Sequence, residues 1–156
     1  MKQGDRRMEI TKRLSEFGAS EEMMNQLEAR VGFTLPSDYR KFMSEFNGGR
    51  PEPSGFVFVT ADGKSDSAVR YFLTLDDREE RYTIQEFLDR YSDRIPQRML
   101  PIACDSFGNL VLLDAGAKSA GAVCFWDHEK ETMDDPTWDN VAVVAPSFTE
   151  FVNALE

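Results

Sequence analysis

Apolar residues recur at helical spacing in the first part of the chain, which predicts helices there. The first two are predicted over residues 6–17 and 20–31. In the second, Ser20 is the expected N-cap because its hydroxyl can accept a hydrogen bond from the first turn, and Gly32 is the expected stop. The predicted core-facing stripe of this second helix consists of Met23, Leu27 and Val31.

A third helix has the clearest start and stop signals in the sequence. Leu35 is held extended by the proline that follows it, and Pro36 supplies a fixed φ for the first helical turn. The helix is predicted to end at Asn47-Gly48-Gly49, because glycine adopts a left-handed cap at almost no cost. Its apolar stripe consists of Tyr39, Phe42, Met43 and Phe46.

Apolar runs typical of strands follow. Residues 56–59 and 69–73 are predicted strands, and the turn-forming residues 62–67 are a predicted loop between them. The charged segment 76–82 is expected to be exposed. Thr83 then caps a short amphipathic helix. The apolar face of this helix consists of Ile84, Phe87, Leu88 and Tyr91.

Four further strands and a closing helix complete the pattern. The strands are predicted at residues 99–103, 110–113, 122–126 and 141–144. The first three are joined by connections too short for a crossover helix, so adjacent antiparallel pairing is expected. Pro146-Ser147 opens the closing helix, whose apolar face consists of Phe148, Phe151, Val152 and Leu155.

This order of elements predicts an α+β fold in a single domain over residues 1–156. A central antiparallel sheet would pack against the N-terminal helices and the closing C-terminal helix, with residues 1–5 flexible. The chain has 156 residues, of which 41% are hydrophobic, and this is enough for a sizeable core. No apolar run approaches the roughly 20 residues of a membrane span, and the N-terminus lacks the apolar core of a secretory signal. A cytoplasmic protein with no membrane partner is therefore expected.

The two cysteines, Cys104 and Cys124, lie in apolar strand-like runs. Free buried thiols are expected rather than a disulfide, because no secretion signal is evident. The cysteines lack CxxC spacing and have no histidine at ligand spacing, so neither a metal site nor a cofactor is expected.

The formal net charge is −10, with 28 acidic and 18 basic residues. A chain of this charge is repelled by nucleic acid and by anionic membranes, since phosphate neutralisation requires an excess of lysine and arginine. A basic protein partner would instead be attracted and steered to it. The alternative is that the acidity only keeps the protein soluble.

No catalytic motif is found. His128 is the one histidine, so any histidine-based chemistry must use it, and no nucleophile or second orienting group accompanies the pair Asp127 and His128. Asp127 and His128 therefore predict a capped turn rather than a catalytic pair. The sequence contains no G-x-S-x-G, H-E-x-x-H or phosphate loop, and we expect no enzymatic activity.

Two acidic segments are candidates for binding a partner, and a merely solvated surface is the alternative for both. The first surrounds an aromatic residue that can serve as an anchor. It consists of Asp127, Glu129, Glu131, Asp134, Asp135, Trp138 and Asp139. The second consists of Asp76, Asp77, Glu79 and Glu80.

Two separated stretches carry a family resemblance. One is the Leu-Pro-x-x-Tyr-x-x-Phe start from Leu35 to Phe42 with its Asn-Gly-Gly stop, and the other includes Pro101-Ile102-Ala103, Gly108-Asn109 and the strand that ends at Trp126-Asp127-His128. Together they resemble the Smi/Knr cell-wall-assembly-regulator family of the SUKH superfamily, across roughly residues 20–155. The motif residues with an expected structural role are Leu35, Pro36, Tyr39, Phe42, Asn47, Gly48, Gly49, Pro101, Gly108, Asn109 and Trp126.

The resemblance implies a single α+β domain whose bacterial members act mostly as immunity proteins. Such a protein binds a cognate toxin, often a nuclease, and blocks it by stoichiometric occlusion. An acidic surface suits the basic cleft with which a nuclease holds phosphate. The alternative is a regulatory scaffold in cell-wall or signalling assemblies, as in fungal relatives.

Overall fold

The computed structural model describes residues 7–116, 121–131 and 138–156. The predicted flexible residues 1–5 lie outside them. The elements in chain order are β1 (Glu9–Lys12), α1 (Glu21–Val31), α2 (Ser37–Glu45), β2 (Arg50–Glu52), β3 (Gly55–Thr60), β4 (Gly63–Ala68), β5 (Tyr71–Phe72), α3 (Ile84–Tyr91), β6 (Met99–Cys104), β7 (Leu110–Asp114), β8 (Val123–Trp126), β9 (Val141–Ala145) and α4 (Phe148–Asn153).

A five-stranded antiparallel sheet in the order β5-β6-β7-β8-β9 forms the centre of the molecule. Every residue of β6, β7 and β8 is buried. Successive side chains of a strand point to opposite faces, so Phe125 and Trp126 show what covers each face. Phe125 stacks on Phe58 of β3 with ring centroids 4.5 Å apart, and Trp126 meets Tyr91 of α3 at 5.8 Å. The sheet is thus covered on both faces, which confirms the predicted α+β fold.

The predicted first helix, residues 6–17, is wrong. Residues 9–12 form β1, which pairs with β2 so that Ile10 lies opposite Pro51. Met8 and Ile10 are half-buried while Glu9 and Thr11 are exposed, and this period of two is that of a strand. The apolar residues of this segment are too irregularly spaced to specify a helix; they are Met8, Ile10, Leu14 and Phe17.

The next two helices form as predicted. The Ser20 hydroxyl accepts a hydrogen bond from the N–H of Met23 at 3.1 Å, and Gly32 ends α1 with φ of 82°. One member of the predicted stripe is wrong, since Met24 rather than Met23 lies beside Leu27 in the core, while Val31 is half-buried. Three members of the predicted α2 stripe are buried, and the fourth is half-buried; they are Tyr39, Phe42, Met43 and Phe46.

The stop after α2 is left-handed, as predicted. Asn47, Gly48 and Gly49 have φ of 52°, 90° and 119°. Gly48 is required for a second reason, because a Cβ there would lie 2.7 Å from the main-chain oxygens of Phe72 and Leu73. Asn47 also ties the stop to the following chain, since its side-chain oxygen accepts from the N–H of Leu75 at 2.8 Å.

The predicted loop at residues 62–67 is instead a strand. β4 pairs with β3 in unbroken register from Gly55 opposite Ala68 to Thr60 opposite Gly63, around a two-residue turn. Of the strand predicted at residues 69–73, only Tyr71–Phe72 belongs to the sheet. The residues of β4 are mostly polar and solvent-facing, so backbone pairing with β3 holds the strand and no apolar pattern marks it.

The C-terminal half agrees with the sequence prediction. Thr83 and Ser147 cap α3 and α4 by accepting from the N–H of the residue three positions later, each at 3.1 Å. Cys104 and Cys124 are free and buried, and burial raises their pKa values to about 11 and about 12. Among the described residues, no helix is long and apolar enough to cross a bilayer.

Candidate functional site

The β3–β4 hairpin stands beside the end of the central sheet and creates two grooves. The acidic groove has a volume of about 600 Å³ and is lined by all six residues of β4, by the turn between β6 and β7, and by the turn after β8. The valine groove has a volume of about 510 Å³ and lies between β3 and β9. Both volumes are typical of binding clefts, at about 300–1,000 Å³.

The two-residue turn at the tip of the hairpin is stabilised by the residues that flank it. Thr60 organises its tip, where the hydroxyl accepts from the N–H of Asp62 and donates to the carbonyl of Gly63, each at 3.2 Å. Gly63 has φ of 116°, which a side chain would strain. An ion pair from Lys130 to Asp62, at 3.3 Å, then connects this tip to the turn after β8.

Asp105 holds the facing wall of the acidic groove together. Its carboxylate accepts from the N–H groups of Phe107 and Asn109 at 2.8 and 2.9 Å, and from the Asn109 amide at 2.8 Å. It also accepts from the hydroxyl of Ser67 in β4, at 2.9 Å. One buried carboxylate therefore joins the hairpin to the β6–β7 turn. An aspartate four residues before an asparagine in a turn is a local signal from which this role could have been predicted.

Asn109 extends this connection to the turn after β8. Its side-chain oxygen accepts from the N–H of His128 at 3.0 Å, so its structural role extends beyond its own turn. Gly108 lets the two turns approach, because a Cβ there would lie 3.1 Å from Nε2 of His128. The imidazole is thus packed against a backbone turn.

The turn after β8 is a single 3-10 turn at His128–Lys130. Asp127 caps it by accepting from the N–H of Glu129 at 3.0 Å. The predicted capped turn is therefore confirmed. Asn140 holds the backbone of Asp127 through two hydrogen bonds of 3.0 Å. Its main-chain carbonyl accepts from the N–H of Asp127, and its side-chain amide donates to the carbonyl of Asp127.

The acids of the first predicted segment divide between structural and exposed positions. Glu131 makes a bidentate ion pair with Arg94, with both N–O distances 2.8 Å, and these hydrogen bonds lower the pKa of Glu131. Asp127 and Glu129 line the acidic groove, and Asp139 lines the valine groove. Trp138, beside Asp139, is 51% exposed. Asp134 and Asp135 lie outside the described residues.

The second predicted acidic segment contains one acid, Asp76, that is not at the surface. Asp76 is buried and Tyr82 is half-buried, so the prediction that all of residues 76–82 are exposed is wrong at these two positions. Its carboxylate accepts from Nε and Nη2 of Arg78, each at 2.8 Å, and from the Ser15 hydroxyl at 2.7 Å. These hydrogen bonds hold the pKa of Asp76 well below the usual range, and the bonds from Arg78 have the largest effect. Asp77, Glu79 and Glu80 are exposed, and neither groove includes them.

Exposed apolar residues border both grooves, and the sequence prediction did not include them. Phe107 is 75% exposed on the wall of the acidic groove, while Val59 and Val143, at 71% and 60%, flank the valine groove. Apolar groups within a polar rim are typical of protein interaction surfaces. Five carboxylates accompany two lysines in the acidic groove, which gives it a negative balance; the acids are Asp62, Asp66, Asp105, Asp127 and Glu129.

The groups that line the two grooves are mainly carboxylates, lysines and apolar side chains, several of them exposed. Within residues 7–116, 121–131 and 138–156, no cluster of histidine, cysteine and acidic side chains is arranged to hold a metal ion. Asp127 caps the 3-10 turn, Asp105 holds the β6–β7 turn, and Glu131 is ion-paired with Arg94. What the surface offers a partner is negative charge, exposed apolar groups and a strand edge.

The sequence matches the family described as SMI1-KNR4 cell-wall, SUKH_6, over residues 21–152. It is also similar to the SPbeta prophage-derived uncharacterized protein YokK of Bacillus subtilis (strain 168), with 30% identity over 149 residues. That similarity covers 86% of this chain and 73% of the relative. The family match includes every described element that lines the two grooves.

Proposed function

The chain belongs to the SMI1-KNR4 cell-wall family, a SUKH family, and from this premise we propose that it is an immunity protein that binds and neutralises a bacterial toxin. It acts by stoichiometric occlusion, without chemistry of its own. The observation that supports the proposal is the acidic groove with its exposed apolar border.

A basic toxin, such as a nuclease, is the partner that fits this surface. The cleft of a nuclease carries lysine and arginine to hold phosphate, and a protein with a net charge of −10 is attracted to such a cleft. Exposed Glu129 and Phe107 lie on the same groove, so charge and apolar contact can act together. Close charge pairs at such interfaces couple by about 1.5–7 kcal/mol, while exposed rim pairs contribute little.

We propose that the protein works in the cytoplasm, and the free buried thiols of Cys104 and Cys124 are compatible with a reducing compartment. Its negative charge disfavours nucleic acid and anionic membranes as direct partners.

Co-expression tests the proposed function. The toxin domain encoded beside this gene is expressed with and without the protein, and survival of the host is counted. We expect the protein to restore growth, because it would occupy the toxin's cleft. Equal killing in both cases would contradict the proposal.

Charge reversal then locates the binding surface. Glu129→Lys should weaken binding to the toxin by about tenfold or more, because it places a cation in the acidic groove. Glu45→Lys is the matched control: it makes the same charge change at an exposed residue in the last turn of α2, where a cation is favourable. The pair Asp134→Lys and Asp135→Lys tests the rest of the first acidic segment, and Glu79→Lys with Glu80→Lys tests the second. Full affinity in the Glu129→Lys protein would move the interface away from the acidic groove.

The family description also supports a regulatory scaffold in cell-wall assemblies as a second candidate. A pull-down separates the two. Recovery of several housekeeping proteins without a toxin favours the scaffold, and recovery of one toxin in equal stoichiometry favours immunity.

A further inference from the structure

We propose that the outer edge of β4 is a docking edge, to which the partner adds an extended segment carrying lysine or arginine as a third strand of the hairpin. This inference rests on the proposed function, because the segment belongs to the protein that the acidic groove receives. Two independent features support it: a strand edge without a neighbour among the described strands and a groove whose charge selects the occupant.

The register of the hairpin leaves one row of main-chain groups pointing outward. Thr60 and Gly63 flank the two-residue turn, so they and every second pair beyond them hold the bonds of the ladder. The N–H and C=O groups of Lys64, Asp66 and Ala68 therefore point away from β3. No main-chain hydrogen bond joins these three residues to another element in the part of the chain that the structure describes.

The far end of the hairpin confirms this alternation. Gly55 lies opposite Ala68, and its main-chain N–H and C=O are hydrogen-bonded to Glu156 at 3.0 and 2.9 Å. Since Gly55 uses both groups on the side away from β4, the pair that it forms with Ala68 is a non-hydrogen-bonded one. Ala68 thus directs its own groups outward as well.

The acidic groove supplies the selectivity that a strand edge lacks. Asp66 lies on β4, and Asp127 and Glu129 lie on the facing wall. A segment laid along β4 would direct every second side chain toward these carboxylates, which favours lysine and arginine at those positions. Phe107, on the same wall, offers an exposed ring to such a cation or to its aliphatic stem.

The edge also lacks most of the features that block strand addition. Exposed edges are usually protected by proline, a bulge, a covering element or charge. β4 contains no proline, keeps a regular register over six pairs and has no strand beyond it within the described residues. A second copy of this chain is disfavoured as the occupant, because it would bring another net charge of −10 to the groove.

The experiment uses a fluorescein-labelled peptide of about ten residues, long enough to span β4, in which lysine and valine alternate. The matched control is the same peptide N-methylated at every second residue, which removes the donors along one edge. We expect the first peptide to bind the intact protein, as measured by fluorescence anisotropy, and the control to bind about tenfold or more weakly. In the complex, hydrogen–deuterium exchange should slow about tenfold at the N–H groups of Lys64, Asp66 and Ala68.

A pair of variants isolates the backbone contribution. Asp66→Pro removes both the side-chain charge and one outward N–H, whereas Asp66→Ala removes only the charge; proline is tolerated on edge strands. We expect the proline variant to bind the peptide about tenfold more weakly than the alanine variant. Thermal unfolding checks that both variants fold. If Asp66→Pro does not fold, hydrogen–deuterium exchange on the unaltered protein still tests whether the peptide binds along β4.

Three outcomes would overturn the inference: no binding at millimolar peptide, binding that leaves the outward N–H groups unprotected, or self-association through β4. Assays of toxin neutralisation distinguish a failure of this inference from a failure of the proposed function. If Asp66→Pro neutralises the toxin as well as Asp66→Ala does, strand addition is wrong while immunity stands. If the unaltered protein fails to neutralise the toxin, the proposed function is wrong.

Discussion

Several carboxylates of this acidic protein are used to build it. Asp76 binds Arg78 and Ser15, Asp105 joins the β6–β7 turn to the hairpin, and Glu131 pairs with Arg94. Each has neighbours that compensate its charge or satisfy its oxygens. The negative charge offered to a partner is therefore concentrated at exposed positions such as Asp66 and Glu129.

The Asp76 carboxylate should make stability dependent on pH. Because its pKa is held below the ordinary value of about 3.9, its contribution to the free energy of unfolding is present above that value and is lost as the pH falls below it. Asp76→Asn should cost about 1–2 kcal/mol at neutral pH, a modest amount because the Arg78 side chain is 68% exposed and screened by solvent.

Urea unfolding at pH values of about 7 and 3 measures this effect. The difference between the unaltered protein and Asp76→Asn should narrow at the lower pH. Asp77→Asn, at the exposed neighbouring position, is the control and should change little at either pH. A cost for Asp76→Asn that is constant across this range would contradict the assignment.

At the scale of elements, the sequence predicts those whose apolar residues follow a regular period or whose ends carry caps. Ser20 and Gly32 delimit α1, and the buried runs of β6, β7 and β8 are evident from their apolar residues. β1 and β4 could not be predicted in this way, because both are mostly solvent-facing strands held by main-chain pairing with a partner strand. Such pairing depends on what the rest of the chain places beside the strand.

The candidate site was predictable to the same extent. The sequence identified the acids near Asp127, three of which line the grooves, and the structural role of Asn109. It did not identify the wall formed by β4 or the exposed ring of Phe107, since both depend on how the hairpin is placed. Burial of Asp76 was missed because its partner Ser15 lies 61 positions earlier in the chain.

The stop after α2 gives a prediction for the role of close packing. Gly48→Ala should destabilise the protein by more than about 2 kcal/mol, because the new Cβ meets two main-chain oxygens in addition to the left-handed strain. Gly32→Ala is the matched variant: Gly32 is also left-handed, but a Cβ added there would have no atom within 4 Å. It should cost only the conformational penalty of about 1–2 kcal/mol.

Thermal or urea unfolding of the two glycine variants checks this difference. Equal destabilisation would show that the backbone around residues 72 and 73 moves aside easily. The packing of the α2 stop against the chain leading into the sheet would then contribute little to stability.

At the scale of the whole molecule, charge and shape have separate roles. The net charge of −10 acts at long range and brings a basic partner to the surface. The grooves, with Val59, Val143 and Phe107 at their borders, act at contact. This division predicts that salt affects association more than dissociation.

The rate constant for association with the toxin should therefore fall by about tenfold or more as the salt concentration rises from about 50 to about 500 mM, because the Debye length shortens. The dissociation rate constant should change much less. Surface plasmon resonance measures both, and Glu129→Gln, which lies in the acidic groove, should reduce the slope of the association rate against salt more than Glu45→Gln does. An association rate independent of salt would contradict electrostatic steering.

The four hydrogen bonds at Asp105 have a consequence for how this surface can evolve. Since one carboxylate is shared by the hairpin and the β6–β7 turn, and Asn109 passes the connection on to the turn after β8, a shift in any one of them disturbs the other two. Lineages that change partner should therefore keep residues 67, 105 and 109 together, or replace them together. Sequence changes would then accumulate at the exposed border of the groove, where a side chain can be replaced without moving the hairpin or the two turns.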